Sequence, residues 1–137
     1  MYLMPIIAIH LAAALCAVLI GPFALWARLG RIVRPRWHRA LGYAWTTCIV
    51  AVAVSAMFIR DGRQPNIAGF TPIHLLVPFT LWSLYKAFSA LARADIATHR
   101  RCMQRLYIAA CVIAGSLTLL PARYLGQLVW GDWLGWL

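Results

Sequence analysis

Apolar residues along the chain gather into four long runs separated by short, mostly basic segments. The runs cover residues 1–27, 40–59, 71–92 and 106–122, and Lys86 is the one charged residue inside them. A helix rises about 1.5 Å per residue and the hydrocarbon core of a bilayer is about 30 Å thick, so about 20 residues cross it. Because backbone groups in that core must be paired within the chain, the runs predict four membrane-spanning helices.

The predicted fold is all-α: one integral membrane domain, residues 1–137, in which four helices form a bundle. The helices are expected at about residues 4–28, 37–60, 72–93 and 98–123. Residues 124–137 contain Trp130, Trp133 and Trp136 and are predicted to lie along the membrane interface, where tryptophan is enriched. The first run has no basic residue before it and is longer than a signal peptide core, so it is predicted to be a retained helix.

Charge sets the expected orientation of these helices. The chain carries 13 Lys and Arg against 3 Asp and Glu, a net charge of +10. Ten of the basic residues lie in or beside two turns, between runs one and two and between runs three and four; the other three, Arg60, Arg63 and Arg123, lie on the opposite side. This asymmetry predicts basic turns in the cytoplasm and both termini outside. It also makes the lipid bilayer, and not nucleic acid, the expected partner of the positive charge.

The two halves of the sequence repeat each other. Ile9-His10-Leu11 opens the first run as Ile73-His74-Leu75 opens the third, and a His-Arg pair precedes each of the second and fourth runs. The spacing from the first to the second histidine is 28 residues in one half and 25 in the other. The pattern predicts two tandem helical hairpins related by an axis along the membrane normal, with equivalent residues at equal depth.

The repeat turns four histidines into two predicted pairs, an outer one and an inner one. Histidine within a membrane is costly and indicates function. Two imidazoles at one depth in a helical bundle suit a b-type haem, held by one axial nitrogen from each side, so one or two haems are expected. The outer pair lies nearer the membrane midplane and is the better candidate. The predicted haem ligands are His10 with His74 and His38 with His99, and Arg39 and Arg100 are the expected partners of haem propionates.

The histidines also have plainer interpretations. Each could bridge helices as a hydrogen-bonding group without a cofactor, or His99 with Cys102 and Met103 could bind copper. Three functions therefore stay open. The first is transmembrane electron transfer by an oxidoreductase, with a quinone or a redox membrane protein as partner. The others are a haem-free accessory or assembly subunit of a larger membrane complex, and a protein that handles copper or haem by weak, exchangeable binding. Homo-oligomers are compatible with each. There is no nucleophile–base pair, phosphate loop or carboxylate dyad, which argues against hydrolysis or phosphoryl transfer.

Several motifs resemble a known family. They are HRALG, SAMFIR, GFTPIHLL, the turn ARADIATHRRCMQRLY, and IAGSLTLLPARYLG, and the resemblance extends from about residue 10 to residue 125. In combination they are similar to small bacterial membrane proteins catalogued as domain of unknown function 2306. The resemblance implies four helices in the bacterial inner membrane and aligns His10, His38, His74 and His99 with the family's histidines, while Ala122 stands where Gly is usual. By analogy of fold it extends to cytochrome b561 and ferric reductases, whose paired histidines hold two haems.

Overall fold

The computed structural model describes residues 4–28, 34–59, 67 and 72–136 of the chain. The regular elements of these residues are all helices, which confirms the predicted all-α class. They are α1 (Pro5–Trp26), α2 (Pro35–Phe58), a 3₁₀ turn (Pro72–Leu75) leading into α3 (Leu76–Ala92), α4 (Ile96–Tyr107), a π-helical segment (Ile108–Ile113), α5 (Ala114–Thr118), a short turn α6 (Tyr124–Gly126) and a second π-helical segment (Gln127–Trp133).

Proline and aspartate mark where the helices begin. Pro5 and Pro35 are the first residues of α1 and α2, where the missing N–H costs nothing because the first turn has no intrahelical acceptor for it. Pro78 likewise falls in the first turn of α3. Asp95 caps α4 by accepting a hydrogen bond from the backbone N–H of Thr98 at 3.0 Å.

Two helices, α1 and α2, are long and apolar enough to cross a membrane. Their most apolar stretches are only 11% and 22% buried within the protein. Large apolar side chains therefore cover the outside of the molecule; Leu19 is 65% exposed and Trp82 61% exposed. An apolar surface of this extent suits a lipid environment, because a soluble monomer exposes only small apolar patches.

The helices pair as two hairpins. α1 packs along α2 and α3 packs along α4, while α2 also contacts α3 and α1 contacts the first π-helical segment. A small core draws on all of these elements; its buried members are Ala17, Trp45, Ile49, Leu84, Leu106 and Cys111. The described helices thus contact one another mainly as the pairs α1 with α2 and α3 with α4.

The two hairpins meet closely at one point in the middle of α1. Pro22 has no N–H, so the carbonyl of Val18 lacks its usual intrahelical donor. The Tyr107 hydroxyl donates to that carbonyl at 3.2 Å. Gly21 makes room for the ring, since a Cβ there would collide with Tyr107 and lie 3.2 Å from Trp45 Nε1. Gly21, Pro22 and Tyr107 thus form a docking point between the hairpins.

The end of the chain differs from the sequence prediction. The fourth helical stretch begins at Ile96 and ends at Thr118, where the sequence predicts residues 98–123. The following segment turns back: Gly126 lies so close to the Leu120 carbonyl that a Cβ would overlap it. Trp130 Nε1 donates to the Leu119 carbonyl at 2.7 Å. Trp130, which the sequence assigns to the membrane interface, thus satisfies a carbonyl at a helix end.

Candidate functional site

His38 and His99 have equivalent places in the two hairpins. Each is the fourth residue of its helix, α2 and α4. Nδ1 of His38 is 2.8 Å from the Ala24 carbonyl on α1, and Nδ1 of His99 is 2.9 Å from the Ala87 carbonyl on α3. Because a carbonyl can only accept, Nδ1 carries the proton, and in the neutral ring Nε2 carries the lone pair. These two histidines define the basic end of the molecule, beside the turns that join the helices of each hairpin.

The two rings are buried to a similar extent, but the free space beside them differs. Both histidines are half-buried, and Phe88 meets the His99 ring edge-on with centroids 6.1 Å apart. One turn beyond His38, Gly42 faces open space, since a Cβ there would find no atom within 4 Å. One turn beyond His99, Met103 packs against the core. A flat group could therefore lie against α2 beside His38, whereas Met103 already fills the matching place on α4.

His10 is bound to α2 at the opposite end. Its Nδ1 lies 2.9 Å from the Ser55 hydroxyl, which itself donates to the Ala51 carbonyl at 2.6 Å. The Ser55 oxygen is therefore the acceptor and His10 Nδ1–H the donor.

His74 binds the same end of α2, with its other ring nitrogen. Nε2 of His74 is 3.2 Å from the Ile59 carbonyl. Ser55 lies in the last turn of α2 and Ile59 follows its last residue, so His10 contacts the end of α2 and His74 contacts the backbone just beyond it. Since the acceptor is again a carbonyl, His74 uses Nε2 as a donor, the nitrogen that the basic-end histidines keep unprotonated.

The predicted propionate partners and copper ligands have simpler surroundings. Arg39 and Arg100 follow His38 and His99 directly and are both exposed. Cys102 is half-buried, and Met103 is partly buried and packs against the core. Within the described ranges, the structure gathers no group of three or more His, Cys, Asp or Glu side chains that could hold a metal ion.

The donor set at the basic end fits a bis-imidazole haem better than the set at the opposite end. His38 and His99 present the same nitrogen, Nε2, as a lone pair, and each Nδ1–H bond to a carbonyl is the contact that orients a metal-binding imidazole. At the opposite end, His74 Nε2 is occupied by Ile59. The sequence favours the outer pair because of its depth. The ring nitrogen that each histidine uses depends on carbonyls of other helices and leaves no mark in the sequence.

Charge at the basic end is positive. Arg34 places its guanidinium 4.5 Å from the centre of the Trp26 ring. Asp95 is the acidic residue of the turn between α3 and α4, and hydrogen bonds from Thr98 hold the pKa of its carboxyl below the usual value, with smaller contributions from Arg93 and Arg101. Arg31, Arg60 and Arg63, which enter the predicted charge asymmetry, lie outside the described residues.

Long apolar helices with a small core and a lipid-suited surface define a helical membrane protein. The chain belongs to the family described as predicted membrane protein, DUF2306, whose family model matches residues 7–136. The resemblance drawn from the sequence motifs is thereby confirmed. No curated protein and no solved structure matched the chain.

Proposed function

We propose that this protein binds haem b between His38 and His99 and carries electrons in the bacterial inner membrane. The observation that carries the proposal is the shared geometry of the two histidines: the same helix position, the same Nδ1–H bond to a carbonyl of the preceding helix, and the same unprotonated Nε2. A cofactor with two equivalent axial positions requires such a matched pair.

In this proposal the haem supplies one-electron redox chemistry, and the chain supplies binding and environment. The carbonyls of Ala24 and Ala87 fix the tautomer and the direction of the two imidazoles. Arg39 and Arg100 are placed to pair with propionates by charge-assisted hydrogen bonds, since both lie one residue beyond a histidine and reach solvent. Phe88 keeps one edge of the His99 ring apolar. A quinone or another redox membrane protein is the proposed electron partner.

The proposal includes four membrane spans with both termini outside. The 3₁₀ turn, of 4 residues, leads directly into α3, of 17 residues. A second continuous stretch consists of α4, the first π-helical segment and α5, with 12, 6 and 5 residues. Each continuous stretch is about as long as a hydrocarbon core is thick. A reporter fused after Leu137 that is active only outside the cytoplasm tests the orientation; activity only in the cytoplasm would overturn it.

A second haem at His10 and His74 is a weaker part of the proposal. At the helical rise, the end with His10 and His74 lies about 20 Å along the bundle from the end with His38 and His99. Two haems placed toward opposite membrane faces would have this separation. His10 keeps Nδ1 as donor to Ser55, but haem ligation by Nε2 at His74 requires that its bond to Ile59 breaks.

A haem-free accessory subunit is the competing function, and one observation favours it. All four histidines already have hydrogen-bond partners within the fold. Interhelical bonds of this kind stabilise membrane bundles by roughly 0.6 kcal/mol each and need no cofactor.

The decisive experiment is an absorption spectrum of the full chain purified in detergent from cells supplied with a haem precursor, oxidised and then reduced. We expect sharp reduced bands and at least one haem per chain, with the haem of the basic end lost in His38→Ala and in His99→Ala but kept in His10→Ala and His74→Ala. Elution of each variant as wild type in size exclusion excludes misfolding. No haem in wild type, or haem lost only with His10 and His74, would overturn ligation at the basic end.

A further inference from the structure

A groove opens at the basic end of the first hairpin, on the surface of α1 and α2. Its volume is about 430 Å³. The last turn of α1 and the first turns of α2 form its walls, which are almost wholly apolar. The lining residues are Phe23, Trp26, Arg34, Trp37 and Leu41.

Among the described residues of this lining, Arg34 is the charged one, and its position is fixed from both helices. It precedes the first residue of α2, and its backbone N–H donates to the Ala27 carbonyl just beyond α1. Its guanidinium stacks on Trp26, the last residue of α1. A guanidinium carries five N–H donors in a planar fork, which can bond an anion while its centre lies over an aromatic ring.

Nothing in the neighbouring sequence can neutralise this charge. Residues 28–39 contain five arginines and no Asp or Glu. The aromatic side chains that line the groove beside Arg34 are exposed: Phe23 is 60% exposed and Trp37 is 64% exposed. The site thus combines a guanidinium that has no Asp or Glu in its flanking sequence with an apolar groove lined by exposed aromatic rings.

We propose that this groove binds a phospholipid with an anionic headgroup. The phosphate accepts hydrogen bonds from the Arg34 guanidinium, and an acyl chain lies along Phe23, Trp37 and Leu41. A soluble anion would use only the charge, whereas a phospholipid uses the charge and covers the aromatic walls. Basic pockets between helices near a membrane surface favour acidic lipids for the same electrostatic reason. The proposal is independent of haem binding.

The second hairpin offers a matched control. Arg93 lies at the end of α3, as Arg34 lies at the start of α2, and is also near the basic end. Its guanidinium donates to Ser89 Oγ of its own helix at 2.9 Å. Arg93→Gln therefore removes an equal charge from the same end of the molecule without changing the groove.

The test measures lipid binding to the detergent-purified full chain by native mass spectrometry, with phosphatidylglycerol and phosphatidylcholine of identical acyl chains. We expect one phosphatidylglycerol to bind more tightly than phosphatidylcholine. Arg34→Gln should weaken it about tenfold or more, as loss of a charge-assisted hydrogen bond does, and Arg93→Gln should not. Arg34→Lys keeps the charge but loses the planar guanidinium, so its affinity for phosphatidylglycerol should fall between those of Arg34→Gln and Arg93→Gln.

Three results would overturn the proposal. Equal binding of both lipids would show that the headgroup charge does not matter. Equal losses in Arg34→Gln and Arg93→Gln would show a diffuse surface charge in place of a groove. Glycerol phosphate that competes as well as the whole lipid would show that the aromatic walls hold no acyl chain. Retained binding of a zwitterionic control detergent by each variant, together with wild-type elution in size exclusion, excludes misfolding as the cause.

Discussion

His38 and His99 show at the scale of single residues how a repeat in sequence becomes a repeat in chemistry. Each sits on the fourth position of a helix, where its ring reaches back to a carbonyl of the helix before it. Helix position follows from the sequence, since Pro35 and Asp95 fix where the helices begin. Which ring nitrogen carries the proton depends on the carbonyl that the neighbouring helix places beside it.

Ser55 carries a prediction at this scale. Ser55→Ala removes the acceptor of the His10 Nδ1–H while leaving α2 intact, and we expect a loss of about 0.5–1.5 kcal/mol of unfolding free energy. The measurement is unfolding in mixed detergent micelles by increasing denaturing detergent. Ser116→Ala is the control, because the Ser116 hydroxyl donates at 2.6 Å to Val112 of its own helix. Equal losses in both variants would contradict an interhelical role for Ser55.

At the scale of elements, helix ends and irregular turns explain most departures from a regular bundle. The sequence predicts an uninterrupted fourth helix, but its middle is a π-helical segment, Ile108–Ile113, beside the docking point at Tyr107. One extra residue per turn shifts the side chains that follow it, and such segments are common at functional or closely packed places. Apolar periodicity cannot reveal this shift in a segment that is hydrophobic on all sides.

The cap of α4 carries a pH prediction. The lowered pKa of Asp95 means that its stabilising contribution is present above the unfolded-state pKa of about 3.9 and is lost as the pH falls through the folded-state pKa. Asp95→Asn keeps an acceptor at every pH, so its thermal unfolding midpoint should fall less than that of wild type between about pH 5 and pH 3. Parallel pH profiles for the two proteins would show that the cap does not contribute.

The fold-back of the C-terminal segment gives a second prediction for elements. Trp130→Phe removes the donor to the Leu119 carbonyl but keeps the aromatic ring, which stacks on Trp136 with centroids 5.6 Å apart. We expect amide hydrogen exchange in residues 124–133 to become roughly threefold to tenfold faster, the effect of one lost hydrogen bond on local opening. Trp133→Phe is the control, since Trp133 is 76% exposed. Unchanged exchange in Trp130→Phe would contradict the anchoring role.

For the whole molecule, the contact between hairpins depends on a few small and rigid residues. Gly21 admits the Tyr107 ring, and Pro22 frees the carbonyl that the ring hydroxyl binds. Around this point the core is small, and most of the remaining apolar surface faces outward. Close packing is therefore what holds the hairpins together, because lipid removes the hydrophobic advantage of association that water would provide.

Gly21→Ala tests this docking at the scale of the molecule. The added methyl group would collide with Tyr107, so we expect a loss of about 1–3 kcal/mol in unfolding free energy, as overpacked cores show. Gly115→Ala is the control: its Cβ meets nothing within 4 Å, and alanine favours a helix, so it should be neutral or stabilising by up to about 1 kcal/mol. Wild-type stability of Gly21→Ala, measured in the same micelles, would contradict the contact.

The sequence by itself determined the all-helical class, the family, the two-hairpin repeat and the equivalence of His38 and His99, because hydrophobic length, proline and motif spacing act locally along the chain. Only the tertiary structure decided which ring nitrogen each histidine keeps, that Tyr107 satisfies a carbonyl freed by Pro22, that Trp130 binds Leu119, and that Arg34 sits over a groove. Each of these contacts joins residues on different elements, and long-range hydrogen bonds and close packing are set by how helices meet and not by the residues beside them in the chain.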